Sequence, residues 1–536
     1  MPSKSTLQEK NFFNIYDLQL LPIDQLIDIL EQYISSSVHP QVLTERIVWP
    51  LLERCKTISW LGLGYLNLAR AIETLSGWEI QRLRLAKQLG NKLTGITYVL
   101  DEPTIGLDAK EIMRVIDAIN ILKEMWNSII VVEHNEEFIE NSDWITEIGP
   151  WAWDFGGRII FNGDYKDFIK SDCLTAQYIR WEKMVNIWFD HRPKDMNITI
   201  RKASKHNLDI DKIDIKLGSF TIVTGPSGAG KTTLLHHTLY NFLENKNKYI
   251  QWFIRMQMLK KWLNRSDILQ SQIIRKTDFE NIEEEALTAF YKELKVDSIS
   301  GRENIQNVIY VDQTSIGKTP RSCPATFIGI FDNIRKIFAH TQESKMMGFT
   351  DSHFSFNSSK WACTECDWYG YKKIELQFLP DTYVPCTLCR GKRYKSEVLS
   401  IKRNGKSISD ILNMYVQEAY EFFEDIGYIN DELKLMVDIW LGYLKLWQPA
   451  QTLSGGESQR LKLVKHLLKQ YRGHSIYFLD EPTVWLHPED IQKLLIVLKQ
   501  FLDRGDTILM IEHDQSLLKF ADHVIRLEHG KVVSPY

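Results

Sequence analysis

Apolar residues recur at helical spacing through the first 74 residues, in amphipathic stretches such as Leu21 to Ile34, and predict a helical segment at 1–74. The pattern then changes. Short, β-branched apolar runs at 96–101 and 128–133 predict buried parallel strands in an α/β half-domain over 75–170, with a turn at Asn162-Gly163-Asp164. The stretch 171–196 is polar, reads as helical from Ser171 to Pro193, and predicts a connector. A second α/β core opens near Asn197. In it the strand Phe220 to Thr224 leads, through a glycine-rich loop, into a helix at Thr233-Leu234-Leu235. A charged helical insert (about 240–300) and a cysteine-bearing insert (350–400) interrupt this core. Its segments are therefore 197–349, 350–400, 401–452 and 453–536.

Two halves of the chain repeat one pattern. Leu75-Ser76-Gly77-Trp78-Glu79 precedes Tyr98-Val99-Leu100-Asp101-Glu102 and then His134, while Leu453-Ser454-Gly455-Gly456-Glu457 precedes Tyr477-Phe478-Leu479-Asp480-Glu481 and then His513. Acidic pair and histidine are 32 positions apart in both halves, and the halves are offset by 378 or 379 residues. Gly225-Pro226-Ser227-Gly228-Ala229-Gly230-Lys231-Thr232 is a P-loop in the required context of strand, loop and helix. Its glycines let backbone N–H groups face phosphate oxygens, and the helix start at Thr232 and Thr233 adds positive potential. Lys231 is expected to neutralise the β and γ phosphates, and Thr232 to ligate Mg²⁺. Asp480 at a strand end is expected to hold Mg²⁺ directly or through water, Glu481 to polarise the attacking water, and His513 to contact the γ-phosphate. Asp101, Glu102 and His134 form the same set in the first half. No P-loop precedes that half: the first glycine of the chain is Gly62. The chain thus carries one partial and one complete ATPase core.

Together, the LSGGE signature, the LDEPT strand end and the following histidine resemble the ATP-binding cassette (ABC) ATPases. Val311-Asp312-Gln313, Ile316 to Ser322, Pro324-Ala325-Thr326, Phe378 to Cys386 and Gly391-Lys392-Arg393-Tyr394 resemble the UvrA family, from about Trp60 onward. The resemblance implies an α/β fold of ABC-type P-loop cores with helical signature subdomains and a zinc-binding insert. It implies an ATP- and Mg²⁺-dependent ATPase that recognises damaged or modified DNA in nucleotide excision repair. It makes Gln313 a Q-loop residue near Mg²⁺ and the attacking water. It adds signature residues Ser76, Gly77, Ser454, Gly455 and Gly456, each acting on a P-loop of the opposite module. The family's first Walker A, first zinc module and UvrB-binding segment have no counterpart here, so recruitment of a UvrB-like partner is not expected from this chain alone. Trp78 stands where the family has glycine, and slow hydrolysis is expected from it; Trp485 also replaces a usually small residue. Two assemblies are expected to complete the signatures: a homodimer, or a separate protein carrying the missing first Walker A. Two other readings stay open. One is a split or degenerate paralogue, acting in drug or self-resistance or as a non-hydrolysing subunit. The other is a soluble ABC regulator of another machine.

The 536 residues carry 65 Lys+Arg against 69 Asp+Glu, a formal charge of −4, so contact with double-stranded DNA must be local. From Lys360 to Lys406, however, ten basic side chains oppose five acidic ones, interleaved with aromatics. Lys372, Lys373, Arg390, Lys392, Arg393 and Lys395 are the candidate DNA contacts, made to phosphates. Cys363-x-x-Cys366 and Cys386-x-x-Cys389 have the spacing of a closed Zn²⁺ site. Cys55, Cys173 and Cys323 stand alone and are expected to be small core residues. No secretory pattern and no membrane-length apolar run occur, and a cytoplasmic location is expected.

Overall fold

The computed structural model describes residues 14–35, 42, 44–75, 77–91, 93–104, 107, 109–149, 157–184, 196–226, 228–263, 276–312, 314–317, 321–355, 360–366, 368–374, 382–469, 471–483, 486, 488–512 and 514–533. Ser76, Ser227, Gln313, Trp485 and His513, and the side chains of Trp78 and Lys373, lie outside the described parts.

The first half begins with helices Ile23–Ser35, Trp49–Ile58 and Gly77–Asn91. Strands β1 (Thr97–Asp101) and β2 (Ser128–Val132) pair in parallel, and β3 (Ile145–Gly149) pairs antiparallel with β4 (Arg158–Gly163). Helix Ala109–Glu124 covers one face of β1 and β2: Tyr98, Leu100, Ile129 and Val131 pack with its buried Ile112, Val115 and Ile116. The alternate residues Val99, Ile130 and Val132 are exposed. The expectation of fully buried strands is therefore half right. Pairing and direction hold, but one face has no cover among the described residues.

The second half is complete on both faces. Strands β5 (Asn197–Ala203), β6 (Ile210–Lys216) and β8 (Ser298–Ser300) form an antiparallel sheet in the order β6-β5-β8. Strand β7 (Phe220–Thr224) enters a six-stranded sheet with β9 (Asn307–Val311), β14 (Ser475–Asp480), β15 (Thr507–Ile511), β16 (His523–Glu528) and β17 (Lys531–Val533). Its order is β17-β16-β7-β15-β14-β9, and every neighbouring pair is parallel except β16 with β17. One face packs Tyr477, Leu479, Ile508 and Met510 against helix Pro488–Asp503. The other packs Val223, Phe478, Leu509 and Ile511 against the helical turns Thr233–Tyr240 and the antiparallel sheet. Each such buried side chain contributes about 1.5–3 kcal/mol.

The charged insert is helical as read, with helices Asn241–Leu263 and Lys276–Leu294. Hairpin strands β10 (Tyr371–Ile374) and β11 (Thr382–Pro385) belong to the cysteine insert; two-residue strands β12 (Lys402–Arg403) and β13 (Lys406–Ser407) follow. The connector supplies a shorter helix than expected, Leu174–Ile179, and its residues 185–195 lie outside the described parts. Helices Val416–Phe422 and Gly427–Asp438 lead to the second signature helix, Gly455–Leu468. The same backbone bonds tie both signature subdomains: Ile23 N to Leu66 O (2.8 Å) and Asp24 N to Gly64 O (3.0 Å) in one, Val416 N to Leu444 O (2.8 Å) and Gln417 N to Gly442 O (3.0 Å) in the other.

One buried histidine makes this fold acid-sensitive. His466, on the second signature helix, lies 2.7 Å from Tyr471 Oη and edge-on to the Tyr477 ring. Burial, with the charges of Lys469, Lys465 and Lys462, holds its imidazole down at about 4 against an ordinary 6.5. The unfolded chain therefore binds this proton first. Stability is lost as pH falls from about 6.5 towards 4, by up to roughly 3 kcal/mol. His466→Gln should flatten the fall in melting temperature between pH 7 and pH 5; an unchanged fall would place the acid sensitivity elsewhere.

Candidate functional site

The P-loop is shaped by neighbours that leave no room for larger residues. Gly225 has φ +143°, and a Cβ there would lie 2.0 Å from the Leu527 carbonyl oxygen on β16. Gly230 has φ +100°, and its Cβ would meet Leu208 at 2.8 Å. Asn207, in the turn between β5 and β6, donates to the Gly228 carbonyl at 2.6 Å. The Lys231 ammonium donates to the carbonyls of Gly225 (2.7 Å) and Pro226 (3.0 Å), inside the curl of the loop. Lys231 is buried, as is Ala229, while Thr232 and Thr233 open the helix behind them.

Asp480 ends β14 beside β7. Tyr310 Oη donates to its Oδ2 at 3.3 Å. Burial first, then the charge of Glu481, pushes the Asp480 carboxyl up to about 6, and the Tyr310 bond and the Lys231 charge oppose that rise. Lys231 and Asp480 therefore belong to one site, as the sequence reading requires. Glu481 follows at φ +44°, its N–H donating to Ile511 O at 3.0 Å, and this left-handed turn lifts it off the strand end. Glu102 repeats the arrangement, with φ +44° and its N–H on Val132 O at 2.9 Å. Burial, then Glu133 and Asp101, pushes the Glu102 carboxyl up to about 8.

The two signatures are built alike. Ser454 caps its helix and exchanges bonds with Glu457: Ser454 N to Glu457 Oε2 (2.7 Å) and Glu457 N to Ser454 Oγ (3.2 Å). Tyr443 Oη donates to Glu457 at 2.5 Å, and Tyr65 Oη donates to Glu79 at 2.6 Å. Gln459 Nε2 reaches the Asp480 carbonyl at 3.0 Å; Gln81 Nε2 reaches that of Asp101 at 2.5 Å. The Tyr65 ring lies across the P-loop, its Cδ1 3.6 Å from where a Cβ on Gly228 would stand. The first signature subdomain thus faces the only P-loop within the chain, and the second signature faces away from it.

Sequence reasoning missed several supporting residues. Glu512 Oε2 accepts from Thr483 Oγ1 at 2.6 Å; Glu133 Oε1 accepts from Thr104 N at 3.0 Å, and Glu133 Oε2 from His134 N at 2.9 Å. Lys462 donates to the Asp312 and Thr314 carbonyls at 3.1 and 2.8 Å, bracing the loop on either side of 313. Tyr65 with Tyr443, Gln81 with Gln459 and Glu133 with Glu512 recur at the offset of the signatures, and that recurrence is the signal that could have found them.

The four cysteines do converge. The sulfurs of Cys363, Cys366, Cys386 and Cys389 lie within 4.8 Å of one another, all buried. Cys363 to Cys386 is 3.8 Å and Cys366 to Cys389 is 3.5 Å. Tetrahedral Zn²⁺ with bonds of about 2.3 Å requires sulfurs about 3.8 Å apart, so the set fits that ion. The Gly370 N–H donates to Cys366 Sγ at 3.3 Å, as a thiolate ligand needs. Trp368 is buried edge-on against Tyr394, 4.5 Å between centroids. Of the candidate DNA contacts, Arg390 and Lys392 are exposed, Lys395 is half-buried, and Lys372 is exposed but pairs with Glu365 at 2.6 Å. Arg393 differs from its expected role. Its guanidinium stacks over Trp447 at 5.0 Å and bonds Asn413 at 3.1 Å, and burial holds its pKa below the usual range. It ties the insert to the second signature subdomain.

Purified protein should contain one Zn²⁺ per chain, and Cys386→Ser should lose it together with the local fold. Metal analysis that finds no zinc, or zinc unaffected by that substitution, would remove the assignment.

No protein-family model matches the chain. UvrABC system protein A from Aquifex aeolicus (strain VF5) is 40% identical over 518 residues, 96% of this chain and 52% of that protein. The same protein from Thermus thermophilus is 40% identical over 518 residues, covering 96% and 50%, and that from Clostridium perfringens 39% over 516 residues, covering 96% and 51%. The chain spans about half the length of the curated relatives it matches. Among solved structures, UvrA2 from Deinococcus radiodurans superposes with a TM-score of 0.81 at 33% identity, over 96% of this chain and 59% of that one. A shared P-loop core, paired signature subdomains and kinship along nearly its whole length make this chain UvrA-like, with the fold of the ABC ATPases.

Proposed function

We propose that the chain is an ATP-binding, DNA-binding ATPase of the nucleotide excision repair type, which grips damaged or modified duplex DNA under the control of ATP and Mg²⁺. One observation carries the reading: Tyr65 of the first signature subdomain rests on Gly228 of the P-loop, in a chain 40% identical to UvrABC system protein A. ABC chemistry needs a P-loop and a signature brought face to face, and these two lie in contact within one polypeptide. When bound, Mg-ATP supplies the γ-phosphoryl group and the charge to be neutralised. Lys231 and the loop N–H groups grip it, Thr232 and Asp480 hold the cation with Gln313 beside it, Glu481 orients water, and His513 senses the terminal phosphate. Ser76 and Gly77 close the site from the first half, with Trp78 slowing turnover.

Arg390, Lys392 and Lys395 of the zinc-stapled insert would contact DNA phosphates. The position of Tyr65 speaks against the head-to-tail homodimer of second modules, because a second copy's signature would need the P-loop face that Tyr65 takes. A separate protein carrying the first Walker A suits the chain better. UvrB-like partners and a cytoplasmic location are part of the same reading; no described helix is long and apolar enough to cross a membrane.

Duplex DNA affinity measured with and without Mg-ATP tests the reading. Lys231→Ala should abolish the nucleotide's effect on DNA binding, and DNA binding that is absent, or indifferent to nucleotide in the wild type, would end it. Arg390→Glu with Lys392→Glu should weaken binding at least tenfold. The double change should also reduce the salt slope by about 2, since each neutralised phosphate contributes about 0.9; an unchanged slope would move the DNA surface off the insert.

A further inference from the structure

The complete second module is a template for the first. Offset by 379 residues, β1 corresponds to β14, β2 to β15 and β3 to β16. In the complete module β7 lies between β15 and β16, parallel to both. In the first half β2 pairs only with β1, and β3 only with β4, among the described residues. The edges of β2 and β3 that correspond to those taken by β7 carry no strand there. The break between the two sheets corresponds to one strand of the template.

The faces tell the same story. Val99 is 69% exposed and Ile130 56%, whereas their counterparts Phe478 and Leu509 are 1% and 0% exposed. Val132 is 55% exposed against 3% for Ile511, and Ile148 on β3 is 65% exposed against 0% for Leu527. What buries Phe478, Leu509 and Ile511 is the helix behind the P-loop, through Leu234, Leu235 and Leu239, with Val223 of β7 beside them. One structural unit, a strand ending in a P-loop and the helix after it, supplies both the missing strand and the missing cover. Apolar side chains of this size left in water on one contiguous face mark an interaction surface.

Resting on the functional reading above, we infer that the β1–β2–β3 face is the docking site of a second P-loop polypeptide, one outside these 536 residues. Its strand adds between β2 and β3, parallel to both, and its helix covers Val99, Ile130 and Val132. Strand addition satisfies the open backbone groups, and the apolar face gives register and affinity. The docked loop would lie beside Asp101 and Glu102, whose carboxylates complement the cations a P-loop brings. Its other side would face the second signature. Tyr443 is held by Glu457 as Tyr65 is held by Glu79, and would rest on a glycine of the incoming loop as Tyr65 rests on Gly228. A second copy of this chain is a poor occupant, because its own P-loop strand and helix are already buried between β15, β16 and the antiparallel sheet.

The test is site-specific photo-crosslinking of the full chain in its native cells. A crosslinking amino acid replaces Ile130 in one sample and, as a control, Met346, which is 85% exposed far along the sequence. Position 130 should crosslink a peptide from the strand, P-loop or following helix of a polypeptide not contained in these 536 residues, and position 346 should not. Crosslinks from 130 only to peptides of this chain, whether from another copy or from its own residues, would overturn the inference, as would none at all. Val99→Glu with Val132→Glu should lower the yield from 130 at least tenfold while ATP binding through Lys231 persists; an unchanged yield would also overturn it. Should the charged pair unfold the half-domain, Val99→Thr with Val132→Thr keeps the shape and should still lower the yield severalfold. The outcomes are separable from the functional reading: nucleotide-indifferent DNA binding would end that reading and leave a P-loop crosslink standing, whereas a missing crosslink would leave ATP-controlled DNA binding untouched.

Discussion

A parallel strand inside an α/β sheet must satisfy four boundaries at once: two hydrogen-bonded edges and two apolar faces. Strand β7 meets all four. It is paired on both sides, buried through Phe220 and Ile222 on one face and Val223 on the other, and it delivers the backbone of Gly225 to the nucleotide side of the sheet. The rest of the second module is arranged around that strand. Where no equivalent strand stands, as in the first half, the same sequence pattern yields two small sheets with one face in water. The contrast lies within one polypeptide, so differences of composition or family do not explain it.

The signatures show how a local cap becomes a long-range bracket. Glu457 closes a capping box with Ser454, which any helix start could use. Its second oxygen also accepts from Tyr443, which belongs to the preceding subdomain, and Gln459 two residues on holds the carbonyl of Asp480. One turn of helix therefore fixes the distance between signature loop and acidic strand end. The first half repeats each of these contacts with Tyr65, Glu79, Gln81 and Asp101, so the bracket persists there although the sheet around it is partial.

Much of this was legible in the sequence because it is encoded in short segments. The P-loop needs its glycines in the positive-φ region within eight residues, the zinc site needs two Cys-x-x-Cys turns, and the strand-end acids follow four apolar positions. What escaped depends on residues far apart. A run such as Thr97 to Asp101 reads as buried on both faces, since nothing in it says whether a helix from elsewhere will cover Val99. Arg393 reads as a phosphate contact from its basic neighbours, until Trp447, 54 residues later, folds beneath it. The placement of Tyr65 on Gly228 joins positions 163 apart, and only the orientation of the first signature subdomain reveals it.

The crowding of Gly225 by Leu527 has a temporal side. The P-loop is translated early, yet β15 and β16, which flank its strand, and the Leu527 carbonyl that abuts its first glycine arrive some 280 residues later. At about 5–20 residues per second, the ribosome takes roughly 15 to 60 s to make that stretch. During that interval the nascent chain carries Lys231 and its loop without the strands that shape them. A ligand for the phosphate site cannot assist early folding of this protein; it can only lock the product once the last strands have closed around β7.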